Sequence, residues 1–420
     1  MRPWDDPEAL LDVDDARDRV LSTVQPLAPV SVVLLDAIGL VLAETIVADV
    51  DVPPFRNSAM DGYALLSGDT LTASASRGVE LRLVGQQPAG CAQDLEVGPG
   101  ECVRIMTGAP LPRGADAVVR FEEVRRNDRP GTAPGVLIHR PVATGANVRN
   151  AGEDIRRGDT VVAAGTVLRS AEIGLLASLN REIVSAYRRP RIGILSTGDE
   201  VIDLGPPLRA GQVRNSNGYM LAGLVRECGG EPVLLGVTRD SAADLAEALT
   251  SAVDLDLIVT SGGVSVGDFD VVKDVLRSVG RIALWQVRMR PGKPVAFGHV
   301  SSTPLVGLPG NPTAAAITFL QFVWPAMMKM LGRLDWSLPT ARARLLVAQE
   351  NPGDRRHFVR GFVEWRGPDL VVRPATRQGS AMLTSLAQAN CLIVLPETCH
   401  HVVAGSVVDV QLLPTTTALI

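Results

Sequence analysis

The chain has 420 residues, of which 46% are hydrophobic and 21% are charged, and this balance excludes a largely disordered protein. Its formal net charge of −5 gives no bulk attraction to nucleic acid or to an anionic membrane, so any anion must be bound by a local pocket. A chain of this length exceeds one ordinary hydrophobic core and predicts several domains.

The cysteines and apolar segments predict a reduced, cytoplasmic protein. The five cysteines form no CxxC pair and leave one over, so neither a zinc ribbon nor a complete disulfide framework is indicated. Residues 1–15 are acidic and lack the pattern of a secretory signal. The longest apolar stretch, 314–331, is interrupted by Gln321, Pro325 and Lys329, which favours a buried helix over a membrane span. We expect no nucleic-acid partner and no membrane partner.

In chain order, the first predicted element is an amphipathic helix over 13–24, where apolar residues recur at helical spacing after Asp12 and Asp14. From residue 51 to about 141, short alternating runs separated by glycines predict a small all-β module. A helical pattern returns from residue 171.

Between residues 191 and about 331 the order strand, glycine turn, helix repeats, which predicts an α/β domain with a mainly parallel sheet. The predicted strands are 192–195, 233–237, 257–260 and 305–308. Ligands of such sheets bind beyond the carboxyl ends of the strands, so the turns that follow them should lie together. From about residue 339 alternation resumes and predicts a second all-β module.

A glycine-rich loop, TSGGVSVGDFD over 260–270, follows one of these strands. Its glycines expose backbone N–H groups to an anion, Asp268 and Asp270 can hold a hard cation, and Lys273 can face a phosphate. Asp199, Glu200 and Asp240 follow neighbouring strands, and clustered like charges cost folding energy unless a cation or ligand compensates them. The loop has neither Walker A nor GxGxxG spacing, but its charged surroundings favour a functional site over solvated turns.

Several motifs in order resemble the MoeA-type molybdopterin molybdenumtransferases, a family that includes the E domain of gephyrin. The motifs are SAMDG (58–62), MTGAP (106–110), NVR with GED (147–154), STGDE (196–200), the glycine-rich loop, PGKP (291–294) and GLPGNP (307–312). The resemblance runs over nearly the whole chain, as far as QGS (378–380) and beyond. Any single motif is weak, whereas the ordered set is very specific.

The resemblance implies a multidomain fold of α/β plus β class and an elongated homodimer. The implied domains are a discontinuous helical linker domain (1–51 and 142–183), an inserted small β domain (52–141), a parallel-sheet α/β molybdopterin-binding domain (184–334) and a C-terminal β-barrel domain (335–420). The β domain of one subunit is expected against the α/β domain of the other, so Asp61 and Thr107 would belong to a shared site. A tight turn is the alternative for the Thr107 segment.

The implied reaction is insertion of molybdate into adenylylated molybdopterin with release of AMP, and it requires a divalent metal, usually magnesium. A cation held by Glu200, Asp240 or Asp270 would neutralise the leaving phosphate. Lys293 and Arg290 are fixed positive charges beside prolines and a glycine and are expected to bind the molybdate. The expected catalytic residues are Asp61, Thr107, Glu200, Asp240, Asp270 and Lys293.

Other residues are implied to bind substrate. They are Arg149, Asp154, Thr197, Gly198, Ser261, Gly262, Gly263, Ser265, Asp268, Lys273, Arg290, Pro309, Gly310, Asn311, Pro312, Arg360 and Ser380. An interdomain salt bridge is the alternative for Arg149 and Asp154. Arg290 stands where the family has lysine and presents a planar fork instead of a point charge. Asn215 replaces a frequent aspartate, and if that aspartate contacts the pterin, recognition would weaken.

Other functions stay open on the sequence alone. The α/β domain also resembles the adenylyltransferase that acts one step earlier and uses ATP, although the added β modules and Asp61 favour insertion. A catalytically weak, gephyrin-like scaffold is a second alternative, against which Asp270 and Lys293 argue. No residue distinguishes a preference for tungstate from one for molybdate. Other proteins of molybdenum cofactor biosynthesis are candidate partners.

Overall fold

A computed structural model describes residues 10–91, 93–127, 133–263, 280–351 and 353–414. The strands, numbered in chain order, are β1 (Leu10–Leu11), β2 (Pro29–Val33), β3 (Ile46–Val47), β4 (Asn57–Ser58), β5 (Gly62–Leu65), β6 (Val79–Gln87), β7 (Glu101–Ile105), β8 (Ala117–Arg120), β9 (Val124–Asn127), β10 (Gly135–Ile138), β11 (Val148–Arg149), β12 (Thr160–Val162), β13 (Ile183–Tyr187), β14 (Arg191–Thr197), β15 (Val201–Ile202), β16 (Val213–Arg214), β17 (Glu231–Thr238), β18 (Leu257–Ser261), β19 (Gly280–Val287), β20 (Met289–Arg290), β21 (Pro294–Val300), β22 (Thr303–Leu308), β23 (Thr340–Leu345), β24 (Gln349–Glu350), β25 (Arg356–Arg366), β26 (Asp369–Pro374), β27 (Cys391–Leu395), β28 (His401–Val402) and β29 (Val407–Leu412). The α-helices are α1 (Val13–Thr23), α2 (Ser170–Ser178), α3 (Ser216–Glu227), α4 (Ala242–Thr250), α5 (Pro312–Thr318), α6 (Trp324–Met330) and α7 (Leu383–Ala387).

The α/β domain is built on a seven-stranded sheet in the order β1-β19-β21-β22-β18-β14-β17. The strands from β22 to β17 are parallel, as predicted, and β14 and β18 are buried because helices cover both faces. Strand β21 runs antiparallel to both of its neighbours, β19 and β22. It therefore begins at the edge where β22 ends, which brings Pro294 to the carboxyl ends of the parallel strands.

The N-terminal segment, which was predicted as part of the linker domain, packs against the α/β sheet. Strand β1 pairs with β19 at the edge of the seven-stranded sheet. Helix α1 has the predicted bounds within one residue, and its apolar residues Val13, Ala16 and Val20 are fully buried in the cluster that contains α6. The spacing of the apolar residues in α1 predicted which face of the helix is apolar, but not which domain this face contacts.

The predicted buried helix over 314–331 is present and contains one widened turn. Helix α5 continues through a π-helical turn, Phe319–Val323, into α6. Pro325 has no N–H to donate to the carbonyl of Gln321, and the widened turn lies where that bond is missing. The buried side-chain amide of Gln321 donates to Gln411 Oε1 on β29 at 2.9 Å. This hydrogen bond connects the helix to the C-terminal domain.

The β domain and the linker domain have separate cores. The β domain has a six-stranded sheet in the order β8-β5-β7-β6-β10-β9, which agrees with the predicted all-β module. In the linker domain, α2 packs with the two-stranded sheets β13-β2 and β12-β3. Asn180 ends α2 in the left-handed conformation at φ 57°, as an asparagine tolerates. The predicted domain boundaries themselves stay predictions.

The C-terminal domain is a closed barrel of five strands, in the order β25-β26-β23-β29-β27 with β27 returning to β25. The prediction of a C-terminal β-barrel is confirmed. The short strand β20 adds to it, and Arg290 of β20 pairs with His357 of β25. The barrel and the antiparallel corner of the α/β sheet therefore meet at Arg290. Among the described residues, none of the helices is long and apolar enough to cross a membrane.

Candidate active site

A cavity of about 610 Å3, here called the edge cleft, opens at the carboxyl ends of the parallel strands. The turns after β14, β17, β18 and β22 meet there, as the strand pattern predicted. The predicted site residues that line the cleft are Thr197, Gly198, Glu200, Asp240, Ser261, Gly262, Gly263, Pro309, Gly310, Asn311 and Pro312. Ser265, Asp268, Asp270 and Lys273, which complete the glycine-rich loop, lie outside the described residues.

Close backbone approach explains the glycines that border the cleft. Gly262 has φ +98°, and a Cβ atom there would lie 2.7 Å from the carbonyl oxygen of Thr197. Gly198 has φ +143°, and a Cβ atom there would lie 2.9 Å from Glu200 Oε2. A side chain at position 262 would push the turns after β14 and β18 apart, and one at position 198 would clash with Glu200 within the turn after β14. The two glycines therefore allow close packing at the border of the cleft.

Two buried oxygen atoms in the edge cleft have no hydrogen-bond partner among the described residues, namely Thr197 Oγ1 and Asn217 Oδ1. The Asn217 side-chain amide donates to Ser261 Oγ at 2.8 Å and to the Gly310 carbonyl at 2.8 Å. Buried polar atoms are nearly always paired, so these two oxygens are candidates to contact a polar ligand.

The carboxylates of the edge cleft repel one another. The Asp240 backbone N–H donates to Asp199 Oδ1 at 3.3 Å, and Glu200 lines the cleft beside Asp240. Burial raises the pKa of Asp240, and the negative charges of Asp199 and Glu200 raise it further. A bound cation would relieve this repulsion. The described residues contain no group of three or more His, Cys, Asp or Glu side chains placed to hold a metal ion, and the third predicted ligand, Asp270, lies outside them.

A second cavity of about 360 Å3, here called the arginine pocket, adjoins the edge cleft and shares Pro294, Pro309 and Asn311 with it. Its other lining residues are Arg290, Pro291, Gly292, Ala314, His357, Gln378, Gly379 and Ser380. None of these described lining residues is acidic. The pocket therefore suits a small anion, and it is lined by both Arg290 and Ser380, two of the residues predicted to bind the oxyanion.

Arg360 does not line the arginine pocket, contrary to the expectation that it contacts the oxyanion. Its side chain is 1% exposed and lies behind the loop that carries Ser380. Arg360 Nη2 donates to the carbonyl of Gly379 at 3.2 Å, and Nε donates to Ser385 Oγ at 3.0 Å. Burial lowers the pKa of Arg360 to about 10. Arg360 is thus a positioning residue for the loop.

Lys293 is half-buried between Gly292 and Pro294, but it is not a lining residue of either cavity. Gly292 has φ +107°, and a Cβ atom there would lie 2.3 Å from Thr318 Oγ1 on α5. The loop of residues 291–294 is therefore packed closely against α5 at Gly292. The predicted contact of Lys293 with molybdate stays a prediction.

Four predicted residues lie away from both cavities within one chain. Asp61 Oδ1 accepts hydrogen bonds from the Thr107 backbone N–H at 2.7 Å and from its hydroxyl at 2.8 Å, and these bonds lower the pKa of Asp61. Arg149 and Asp154 line a separate cavity of about 420 Å3 together with Asn57. Neither residue forms an ion pair in the described part of the chain, so the proposed interdomain salt bridge is not seen there.

Family models match the chain in the order of its domains. They describe the MoeA N-terminal region (domain I and II) over residues 11–180, a probable molybdopterin binding domain over 193–329 and the MoeA C-terminal region (domain IV) over 342–413. A molybdopterin molybdenumtransferase of Haemophilus influenzae is 35% identical over 407 residues, which are 96% of this chain and 98% of that protein. The chain belongs to the MoeA family. The resemblance implied by the sequence motifs is confirmed.

Another similar protein is molybdopterin molybdenumtransferase 2 of Mycobacterium tuberculosis, 37% identical over 91% of this MoeA-family chain and 94% of its own length. Among solved structures, the molybdopterin biosynthesis MoeA protein of Pyrococcus horikoshii matches with a TM-score of 0.82 and 32% identity, over 96% of this chain and 99% of that chain. The predicted multidomain fold is confirmed. As a member of the MoeA family, the chain is a transferase of molybdenum cofactor biosynthesis.

Two residues of this MoeA-family site were missed by sequence reasoning. Asn217 lies two positions after Asn215 at the start of α3, and a run of polar residues before a helix is usually a capping signal alone. His357 is a lone histidine within an alternating strand, where it has no local signature. Only the pairing of β25 with β20 brings His357 to the arginine pocket.

Proposed function

We propose that this chain inserts molybdate into adenylylated molybdopterin and releases AMP. The observation that carries the proposal is the pair of adjoining cavities, one with carboxylates and unpaired buried oxygens and the other with an arginine and no acidic lining residue. Such a pair suits a phosphorylated ligand and a tetrahedral oxyanion held side by side. The names of the relatives, which describe molybdopterin molybdenumtransferases, support this choice.

The edge cleft is the proposed site of the adenylylated molybdopterin. Thr197 Oγ1 and Asn217 Oδ1 would contact its polar groups, since both oxygens are buried and unpaired in the described structure. The glycines at 262 and 263 and the loop of 309–312 would let the backbone approach the phosphates. The glycine-rich loop beyond residue 263, with Ser265, Asp268 and Lys273, is proposed to complete this contact.

A divalent metal ion, expected to be magnesium, is proposed at Glu200, Asp240 and Asp270. The two described carboxylates fit such an ion, because burial and then the negative charges of Asp199 and Glu200 raise the pKa of Asp240, and an added positive charge would offset both effects. When bound, the metal neutralises the charge of the leaving phosphate. The protein's own contribution is to hold these carboxylates in a rigid cleft at the sheet edge.

The arginine pocket is the proposed site of the molybdate. Arg290 and Ser380 would donate hydrogen bonds to its oxygens, Lys293 would add a second positive charge, and Arg360 would hold the Ser380 loop in place. Pro294, Pro309 and Asn311 separate this pocket from the edge cleft while lining both. A molybdate bound there would lie beside the ligand that receives it.

We further propose a homodimer whose sites are shared between subunits. Exposed apolar residues cluster in the linker domain, where Val33 and Ile183 are paired across β2 and β13 and are 54% and 57% exposed. Leu35 and Ile38, in the turn that follows β2, are 71% and 50% exposed. An apolar surface of this kind is typical of a subunit interface. Asp61, Thr107, Arg149 and Asp154 would then contact the site of the partner.

One assay tests the reaction. Purified protein is incubated with adenylylated molybdopterin, magnesium and molybdate, and AMP is measured by chromatography. We expect AMP release to depend on both molybdate and magnesium. AMP release that is unaffected by omitting molybdate would refute insertion, and pyrophosphate release from ATP and molybdopterin would identify an adenylyltransferase instead. A parallel reaction with tungstate measures the preference between the two oxyanions.

A further inference from the structure

His357 lies in the arginine pocket. It is on β25 directly opposite Arg290 of β20, and its residue surface is 9% exposed. Its Nδ1 atom is buried and has no hydrogen-bond partner among the described residues. A buried ring nitrogen without a partner is costly, so its presence in a pocket that suits an anion indicates that the missing partner is the ligand.

The groups around His357 are positive or neutral. Arg290 faces it from β20, and Arg360 lies three residues further along β25. Leu395 pairs with it on β27, and the remaining polar neighbours in the pocket, Asn311, Gln378 and Ser380, are uncharged. Arg356, the preceding residue, is neutralised by ion pairs with Asp14 and Glu397. Burial and the two arginines lower the pKa of His357 to about 4, so its imidazole is neutral when the pocket holds no anion.

We propose that His357 determines the specificity of the arginine pocket for doubly charged tetrahedral oxyanions, by taking up one proton from solvent as the anion enters and then donating a ring N–H to an anion oxygen. The proton adds to the free nitrogen of the neutral ring, which leaves both nitrogens as donors. This proposal rests on the proposed function, because it assumes that the oxyanion binds in this pocket.

The physical reason is the change of charge in the pocket. Without a ligand, an imidazolium would be repelled by Arg290 and Arg360 and would lack solvation. A dianion contributes negative charge at hydrogen-bond distance, which favours the protonated ring. A monoanion contributes half of that charge and has less basic oxygens. The protonation of His357 therefore favours dianions over monoanions of the same shape.

Sulfate is a suitable probe because it is a tetrahedral dianion that stays unprotonated between pH 5 and pH 8. Calorimetric titration of the full chain with sodium sulfate in two buffers of different ionisation enthalpy gives the number of protons taken up. We expect uptake approaching one proton near pH 5 to 6, and an affinity that increases by up to about tenfold per unit decrease in pH. Perchlorate, a tetrahedral monoanion, should show neither effect.

The decisive variant is His357→Gln, which keeps a hydrogen-bonding side chain but does not titrate. It should still bind sulfate, but without proton uptake and with an affinity that no longer depends on pH. His299→Gln is the matched control, since burial also lowers the pKa of His299 but this residue lies on β21 and lines neither cavity. The control should retain the proton uptake of the wild-type chain.

The proposal would be overturned by sulfate binding to the wild-type chain without proton uptake, or by unchanged uptake in His357→Gln. If the variant does not fold, the NMR chemical shifts of the His357 ring in the wild-type chain give the answer, because they must move to imidazolium values when sulfate is added. Absence of sulfate binding would also overturn it. The AMP assay distinguishes this failure from that of the proposed function, because molybdate-dependent AMP release does not require a proton on His357.

Discussion

The Asn217 side chain donates a hydrogen bond to the hydroxyl of Ser261 at 2.8 Å. The same amide nitrogen donates to the carbonyl of Gly310 at 2.8 Å, so one residue of α3 holds together the turns after β18 and β22. Both hydrogens of the amide are used in these bonds, whereas Oδ1 has no partner among the described residues. Asn217 therefore both shapes the edge cleft and offers it an acceptor.

Replacing Asn217 should impair ligand binding more than folding. For Asn217→Ala we expect the KM for adenylylated molybdopterin to rise at least about tenfold, since a hydrogen bond to the ligand is lost and the two turns are no longer joined. The control is Asn390→Ala in the barrel, which also removes buried bonds, to Val363, away from either cavity. Steady-state AMP release and thermal unfolding of both variants provide the comparison. An unchanged KM in Asn217→Ala would contradict the binding role.

Asn215 has a structural role that an aspartate would also fill. Its Oδ1 accepts hydrogen bonds from the Gly218 backbone N–H at 3.0 Å and from Ser196 Oγ at 2.7 Å, and it thereby caps α3. Asn215→Ala should destabilise the protein by about 1 kcal/mol, whereas Asn215→Asp should retain the cap. Urea unfolding measures the difference. Equal destabilisation by both substitutions would show that the side-chain acceptor is not what stabilises α3.

The sequence predicted which segments are helices and which are strands, because the local spacing of apolar residues differs between the two. The helix α1, the parallel strands β14, β17, β18 and β22, and the turns that line the edge cleft all follow from apolar spacing and glycine positions. The packing of α1 into the α/β core could not be predicted from the sequence. Apolar spacing identifies the buried face of a helix but not the element that this face contacts. Arg360 was expected to contact a ligand, but its direction is set by the carbonyls of the 377–379 loop, which only the folded barrel brings to it.

Asp240 should limit the stability of the protein when no metal is bound. Because its pKa is raised in the folded state, the penalty that Asp240 imposes on folding is absent below the ordinary carboxyl pKa of 3.8 and appears as the pH rises through the raised value. In the presence of EDTA at pH 7, Asp240→Asn should therefore raise Tm, and the gain should disappear below about pH 4. Differential scanning calorimetry over pH 3.5 to 8 measures this.

The same variant should lose activity, by at least about tenfold in kcat, if Asp240 holds the metal. Asp244→Asn is the matched control, because Asp244 is exposed on α4 four residues away. It should change neither Tm nor AMP release. A variant Asp240→Asn with wild-type activity at limiting magnesium would remove Asp240 from the proposed metal ligands.

Arg360 should be irreplaceable by lysine. Lysine keeps the charge but cannot form the forked contacts to Ser385 and the Gly379 carbonyl, so we expect Arg360→Lys to lose roughly 1.5–3 kcal/mol of stability and to raise the KM for molybdate. Arg366→Lys, at the exposed end of the same strand, is the control and should behave as wild type. Wild-type values of both quantities in Arg360→Lys would show that the loop does not depend on the guanidinium.

Subunit mixing tests whether the active site is shared. Asp61 is exposed in one chain, and it lines neither the edge cleft nor the arginine pocket, so Asp61→Ala should fold normally while inactivating the site of the partner. Asp240→Ala should inactivate the site of its own subunit. Random mixing puts about half of the dimers in mixed form, each with one intact site of two, so co-expression of the two inactive variants should restore about one quarter of wild-type AMP release. Co-expression of Asp61→Ala with Thr107→Ala, which both alter the β-domain half, should restore none. Failure of the first pair to complement, with light scattering showing mixed dimers, would contradict a shared site.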